Sequence, residues 1–362
     1  MCGIAGFYSS KALPKEFYIK SLEAMGEVIE HRGPDRGDIW FDVNSQVGFA
    51  HRRLSILDLS DSGNQPMHSN CGRFLIIFNG EIYNHMALRD EINLDKRNHK
   101  WIGSSDTETL LVAISIWGVK ETLKKSRGMF AFSLWDKKSK NLTLGRDRMG
   151  EKPLYYGWNN EFFLFGSELK SLKSHPGFNG EIDKESLSLF LKYSYVPCPK
   201  SIYKDINKLE QGTFITLSLE SKTIEVEEFW SFKKNINGIQ NTNARSSSEA
   251  LVKDLDIILN KAVEEQMISD VPLGAFLSGG IDSSAIVSLM QSQSIKPVKT
   301  FTIGFSEKDY DESIYASEIA KYLGTEHTDL QVTSKELLSV VPKLAQIYDE
   351  PFADSSQIPT YL

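Results

Sequence analysis

A change of residue pattern midway along the chain constrains its fold more than any other feature. Through residues 1–228, short runs rich in β-branched and aromatic side chains recur between turn signals. Gly48–Leu59 and Arg73–Tyr83 are predicted strands. Gly128–Trp135 with Asn141–Arg146, turning at Lys137–Lys140, is a predicted hairpin, as is Pro153–Trp158 with Glu161–Gly166, turning at Asn159–Asn160. Tyr18–Ile29 and Asp106–Trp117 read as helices, the second with acidic residues in its first turn. Strands joined this way are antiparallel, so residues 1–228 are expected to be an α+β domain. Residues 229–247 lose the pattern: Ser231–Ser248 is rich in Asn and Ser with three strongly apolar side chains, and is expected to be a linker. Over 248–362 helix and strand alternate. Leu251–Met267, Ser283–Gln291 and Glu312–Leu323 are the helices, and Leu273–Leu277, Val298–Gly304 and His327–Val332 the strands. That alternation predicts a parallel α/β sheet.

Composition narrows the function classes. The formal net charge of -7 argues against a nucleic-acid binder, which carries a basic surplus. Cys2, Cys71 and Cys198 are too far apart for a CxxC zinc site or a disulfide framework. The opening MCGIAGFYSS is no secretory signal, and no apolar run approaches the ~20 residues of a membrane span, so a cytoplasmic location without membrane contact is expected.

Cys2 directly follows the initiator methionine. Removal of Met1 would leave a thiol and a free α-amine on one residue. An α-amine has a pKa of about 7.7–8.0, so part of it is unprotonated at neutral pH and can serve as the base for its own thiol. Gly3 permits close backbone approach.

Further along come HRGPD (His31–Asp35), RLSI (Arg53–Ile56), NGEIY (Asn79–Tyr83) and SDTE (Ser105–Glu108). Read singly, Arg53 could be a solvated charge, Asn79–Gly80 a hairpin turn and Asp106 a helix cap. In this order, with MCGI before them, they resemble the glutaminase domain of class II amidotransferases, in the N-terminal-nucleophile hydrolase family, over most of residues 2–215. The resemblance implies an αββα sandwich with Cys2 as nucleophile. It implies that the Asn79 side chain and the Gly80 N–H meet the tetrahedral oxyanion. Glutamine would be held by Arg53, Leu54, Ile56, Asn79, Gly80, Glu81 and Asp106, with Arg53 forked onto its carboxylate and Asp106, aided by Glu81, facing its ammonium. His31 is expected to be a scaffold residue.

LSGGIDSS (Leu277–Ser284) lies between a short apolar strand and a helix, where small residues let N–H groups converge on an anion. There is no Walker or GxGxxG run. The segment resembles the pyrophosphate loop of ATP pyrophosphatases, and 251–362, with EPFADSSQIPTY, resembles the synthetase domain of asparagine synthetases. The resemblance implies ATP binding by Leu277, Ser278, Gly279, Gly280, Asp282, Ser283 and Ser284, and by Ile303 on the following strand. It also implies Mg²⁺ on Asp282, with Glu350 or Asp354 as the second carboxylate.

Together the halves imply a carbon–nitrogen ligase. Ammonia freed from glutamine would reach an adenylated carboxylate through an internal tunnel, with aspartate as first-choice acceptor giving asparagine, AMP and pyrophosphate. Members of this family run on well beyond the position matching Leu362, so the ATP-binding domain (248–362) is expected to be incomplete. The alternatives are amidation of a sugar uronate, for which RDRMGEKPLYY with Glu151 is the pointer, a glutaminase acting alone, and a non-catalytic binding protein. A homodimer is common among such proteins.

Overall fold

The computed structural model describes residues 1–94, 99–239, 247–305 and 311–362. It divides into two units, Met1–Gly238 with Tyr348–Phe352, and Ile239–Ile347 with Ala353–Leu362.

In the first unit, strands β1 (Gly3–Ser9), β2 (Arg36–Asp42), β3 (Val47–Arg53), β4 (Met67–His68), β5 (Phe74–Ile82) and β6 (Gly128–Asp136) are followed by β7 (Asn141–Arg146), β8 (Tyr155–Asn159), β9 (Phe162–Gly166), β10 (Ile206–Lys208), β11 (Thr213–Ser218) and β12 (Ile224–Glu228). They form two six-stranded sheets, ordered β10-β8-β9-β1-β3-β2 and β12-β11-β7-β6-β5-β4. Helices α1 (Lys15–Glu27), α2 (His85–Asn93), α3 (Asp106–Trp117), α4 (Val119–Lys125), α5 (Leu169–Lys173), α6 (Lys184–Tyr193) and α7 (Phe232–Ile239) complete it.

The period-2 alternation of strand side chains assigns the layers. Ile4, Val47, Phe49, Leu75, Ile77, Trp135 and Phe165 meet in a core between the two sheets. The alternate residues of β5, Phe74, Ile76 and Phe78, pack with Leu110, Leu111 and Ile114 of α3. Ala5 and Phe7 of β1 pack with Leu22 and Met25 of α1 and Leu172 of α5. Helix, sheet, sheet and helix therefore stack as an αββα sandwich. Continuing the inward parity toward one end of the gap brings Cys2, Arg53, Asn79 and Glu81 to the same face as Ile4, Phe49 and Ile77.

The predicted strand over Gly48–Leu59 stops at Arg53. The reason is non-local: the Arg53 guanidinium draws the following chain into a loop by donating to Ser60 O at 2.9 Å, Asn64 Oδ1 at 2.7 Å and Asp58 O. Helix α7 occupies part of the expected linker, and 240–246 lie outside the described residues.

The second unit holds a three-stranded parallel sheet, β13 (Gly274–Phe276), β14 (Lys299–Phe305) and β15 (Glu326–Val332), in that order. Its helices are α8 (Ser248–Gln266), α9 (Ile281–Gln293), α10 (Ser313–Leu323), α11 (Ser334–Val340), α12 (Leu344–Ile347) and α13 (Gln357–Tyr361). Leu277 and Val287 pack on Ala316 and Ala320 of α10 as a small core. No helix among the described residues is long and apolar enough to cross a membrane.

Candidate active site

Cys2, Arg53, Leu54, Ile56, Asn79, Gly80, Glu81 and Asp106 line one cavity of the first unit, with Met1, Gln65, Thr107 and Lys152. Every residue assigned to glutamine or to catalysis from the sequence is brought together there. Cys2 Sγ accepts from Leu54 N at 3.4 Å and faces Leu54 O at 3.6 Å. Burial pushes the thiol up, and the Leu54 backbone opposes this by favouring the thiolate.

Asn79 is 0% exposed, and among the described residues neither its Oδ1 nor its Nδ2 has a hydrogen-bond partner. A buried amide left so costs about 1–3 kcal/mol per group, a cost that folding selects against. Beside it, Gly80 presents a backbone donor. Tyr83 N donates to Arg127 O across the β5–β6 ladder, so alternate N–H groups of β5, those of Phe78, Gly80 and Ile82, point to the opposite edge. Phe78 N is taken by Gln65 Oε1 at 2.6 Å and Ile82 N by Asp106 Oδ2 at 2.8 Å. Gly80 lies between them on the cavity wall. A Cβ there would fall 2.1 Å from Met129 O and 2.6 Å from Phe130 Cα, so only glycine lets β5 lie this close to β6.

Arg53 is fixed by its loop, and its anchor Asp58 accepts from Ser60 Oγ at 2.5 Å, Ser104 N at 2.8 Å, Ser62 Oγ at 3.0 Å and Ser60 N at 3.1 Å. Burial pushes the Asp58 carboxyl up, but these donors hold it down at about 2. Asp106 is the first residue of α3, after the Ser105 N-cap whose Oγ accepts from Glu108 N at 3.2 Å. Burial raises its carboxyl to about 7 against the pull of the Ile82 N–H. Glu81 is also raised by burial, with Lys152 opposing.

Three contributors escaped the sequence reading. Arg32 Nε donates to Cys2 O at 3.1 Å and its Nη1 to Glu168 Oε1 at 2.8 Å. His31 Nε2 lies 3.1 Å from the same carboxylate oxygen, in the scaffold role expected. Lys152 is buried with its Nζ 3.2 Å from Met1 Sδ, and burial lowers its ammonium, with Glu151 and Glu81 opposing. Arg32 lies within HRGPD and Lys152 within RDRMGEKPLYY, so both could have been singled out; Glu168 carries no local signal.

In the second unit the loop after β13 leads into α9. Gly279 has φ +82°, and a Cβ there would meet Tyr315 Cβ at 2.9 Å. Ser278 Oγ lies 3.0 Å from Ser283 Oγ, and Ser284 Oγ donates to Gly280 O at 2.7 Å. The N-cap of α9, Gly280, offers no side-chain cap to the helix N–H groups. An uncapped N-terminus in a small-residue cradle fits a phosphate. Leu277 is buried and its N–H donates to Phe301 O at 2.8 Å. The β13–β14 register, Phe276 opposite Phe301, continues to place Ser278 level with Ile303 at the carboxyl end of the sheet. Asp282 is exposed in the first turn of α9.

Glu350 accepts from Ile202 N at 3.2 Å and pairs with Lys208 within the first unit. It and Asp282 are thus not brought together inside either unit. Asp354 accepts from Ser356 N at 2.7 Å. Among the described residues no group of three or more His, Cys, Asp or Glu is arranged to hold a metal ion.

A family model for a glutamine amidotransferase domain matches residues 1–230, and one for asparagine synthase matches 254–362. The chain is 34% identical to a putative asparagine synthetase [glutamine-hydrolyzing] 2 of Methanocaldococcus jannaschii, over 100% of this chain and 70% of the relative. It is 37% identical to asparagine synthetase [glutamine-hydrolyzing] 1 of Bacillus subtilis, over 100% of this chain and 55% of the relative. Among solved structures, a glutamine phosphoribosylpyrophosphate amidotransferase from B. subtilis aligns with 90% of this chain and 65% of its own, at 15% identity and a TM-score of 0.46. The chain thus spans little more than half the length of several relatives it matches.

Proposed function

The chain belongs to the glutamine-hydrolysing asparagine synthetase family, a class of glutamine amidotransferases, and from that premise we propose that its first unit releases ammonia from glutamine at Cys2 and its second activates a carboxylate with ATP. The observation that carries the first step is the buried, unpartnered amide of Asn79 facing the Cys2 cavity. Such a group finds its acceptor when the substrate carbonyl becomes an oxyanion.

In this reading Met1 is removed, which empties its share of the cavity and frees the Cys2 amine. The amine takes the thiol proton, and Sγ attacks the glutamine Cδ. The oxyanion is met by Asn79 Nδ2 and the Gly80 N–H. Collapse breaks the C–N bond, the amine returns its proton to the leaving nitrogen, and ammonia departs. Water then cleaves the γ-glutamyl thioester. Arg53 holds the substrate carboxylate, while Asp106 and Glu81 hold its ammonium. Leu54 and Ile56 shape the wall beside the thiol.

The Leu277–Ser284 loop takes the ATP phosphates, with Ile303 beside the nucleotide. Asp282 is the exposed carboxylate that would join phosphate oxygens in holding Mg²⁺. An acceptor carboxylate displaces pyrophosphate from the α-phosphorus, and ammonia displaces AMP from the resulting acyl-adenylate. Aspartate as acceptor rests on the names of the relatives. The test is incubation with glutamine, MgATP and aspartate, following glutamate, asparagine and pyrophosphate by mass spectrometry, with Cys2→Ala as control. Asparagine, pyrophosphate and glutamate that all cease to turn over in the Cys2→Ala control support the full reading. Glutamate alone confines it to the first unit, and no Cys2-dependent glutamate from Met1-processed protein overturns it.

A further inference from the structure

The strap Tyr348–Phe352 belongs to the first unit, although the residues on either side of it belong to the second. It packs where α5 begins. Asp349 Oδ2 accepts from Lys170 N at 2.8 Å, and its Oδ1 lies 3.6 Å from Lys170 Nζ. Lys170 N is the second N–H of a five-residue helix whose own N-cap, Glu168, makes no side-chain cap. The strap thus supplies from 179 residues away the carboxylate that the start of α5 lacks.

Glu168 instead directs its carboxylate toward the active site. Its Oε2 pairs with Lys170 Nζ at 2.8 Å, and its Oε1 takes Arg32 Nη1 at 2.8 Å. Arg32 Nε holds the carbonyl oxygen of Cys2 at 3.1 Å. Asp349, Lys170, Glu168 and Arg32 alternate in charge, and none of the four side chains exceeds 19% exposure. A partly buried chain of alternating charges with backbone contacts at both ends has little freedom to rearrange.

We propose that Asp349 is a positioning residue for the nucleophile, acting on the Cys2 backbone through Lys170, Glu168 and Arg32. Without its carboxylate the first turn of α5 frays and Lys170 turns wholly onto Glu168, in competition with Arg32. Arg32 then loosens its hold on the Cys2 carbonyl. Glutamine binding is spared, because Arg53 and Asp106 are held by the 58–64 loop and by α3. This inference rests on the glutaminase reading for its kinetic arm only.

Asp349→Asn in the full, Met1-processed chain is expected to lower glutaminase kcat about tenfold while KM for glutamine stays within about twofold. Alkylation of Cys2 by iodoacetamide, measured by peptide mass spectrometry without glutamine, is expected to change rate by a similar factor. Combined with Glu168→Gln, the loss should be far less than the product of the two single losses, because both cut one chain. An unchanged alkylation rate, or multiplicative losses in the double variant, would overturn the proposal. If Asp349→Asn does not fold, Glu168→Gln alone cuts the chain at its next carboxylate, the one that holds Arg32, and wild-type kcat and alkylation in that variant overturn it equally. Absence of Cys2-dependent glutamate release from the parent chain overturns the proposed function instead, and the alkylation rates still decide the role of Asp349.

Discussion

At Asn79 the local energetics run against folding and in favour of chemistry. The side chain is 0% exposed and both polar atoms of its amide lack a partner among the described residues. Truncation to alanine removes two unsatisfied groups, each costing about 1–3 kcal/mol, which offsets the small cavity left behind. Asn79→Ala is therefore expected to keep or raise the melting temperature while kcat for glutamine hydrolysis falls about 10²–10³-fold. A parallel loss of stability and activity would make Asn79 an ordinary core residue. Asp106 yields a pH prediction. Its folded carboxyl, raised by burial to about 7, stands above an unfolded value of about 3.9, so its contribution to stability is complete below the unfolded value and is lost as pH rises through about 7. Asp106→Asn keeps an oxygen for Ile82 N and should melt above wild type at pH 8 but not at pH 4. A substrate ammonium reverses the preference and draws the proton off, so KM for glutamine should fall between pH 5.5 and 7.5 in wild type and fall less steeply in the variant, which keeps only Glu81 against the ammonium. Equal KM slopes would remove Asp106 from the site. These residue types were legible because each sits in a short local run. Glu168 was not, because its partner Arg32 lies 136 residues away and no pattern in sequence records such a pairing.

Among the elements, β5 contributes more of the site than any other, with Asn79, Gly80 and Glu81, and its glycine separates two sources of cost. The added Cβ of Gly80→Ala would fall on backbone atoms of β6, at 2.1 Å from Met129 O. A sheet backbone cannot step aside as a flexible side chain would, so a loss of about 2–3 kcal/mol in denaturant stability is expected, with hydrolysis impaired as the oxyanion donor moves. Gly72→Ala is the contrast. Its φ is +69°, yet a Cβ there meets nothing among the described residues within 4 Å, so only the left-handed backbone is penalised, by about 1 kcal/mol, with hydrolysis unchanged. Similar losses from the two substitutions would show that the β5–β6 spacing is not what requires Gly80. Strand β5 was readable because Phe74–Ile82 is a run of β-branched and aromatic residues ending in NGEI. The short strand β2, Arg36–Asp42, was not, because its pattern of RGDIWFD is half polar and its place is set by pairing with β3, from Arg36 opposite Arg53 to Asp42 opposite Val47. The same non-local control cut β3 at Arg53: residues 54–59 have strand composition, but the guanidinium captures the carbonyls of Asp58 and Ser60.

For the whole molecule, the two units differ in what they bury. The first encloses Trp135, Phe49, Phe130 and Phe163 completely, between and beside its sheets. The second buries little beyond Leu277, Val287, Ala316 and Ala320, with a small cluster at Val263, Met290 and Val298, and leaves Phe276 81%, Ile281 88% and Tyr322 89% exposed. Parallel sheets gain their stability from cover on both faces, and a three-stranded one with apolar side chains in water has less of it. Local opening should therefore be easier in the second unit. Hydrogen exchange read by mass spectrometry is expected to be at least about tenfold faster in β13–β15 than in β5–β7, and denaturant should unfold the second unit first. The phosphate loop makes that difference a probe of ligand. If ATP binds the native second unit alone, MgATP at about 100 times its Kd stabilises it by about 2.7 kcal/mol, moving the first transition toward the second and slowing exchange at the start of α9, while β5–β7 stay unchanged. A single coincident transition, or protection by MgATP spread evenly over both units, would mean that the chain folds as one cooperative body and that the small core of the second unit does not set its stability.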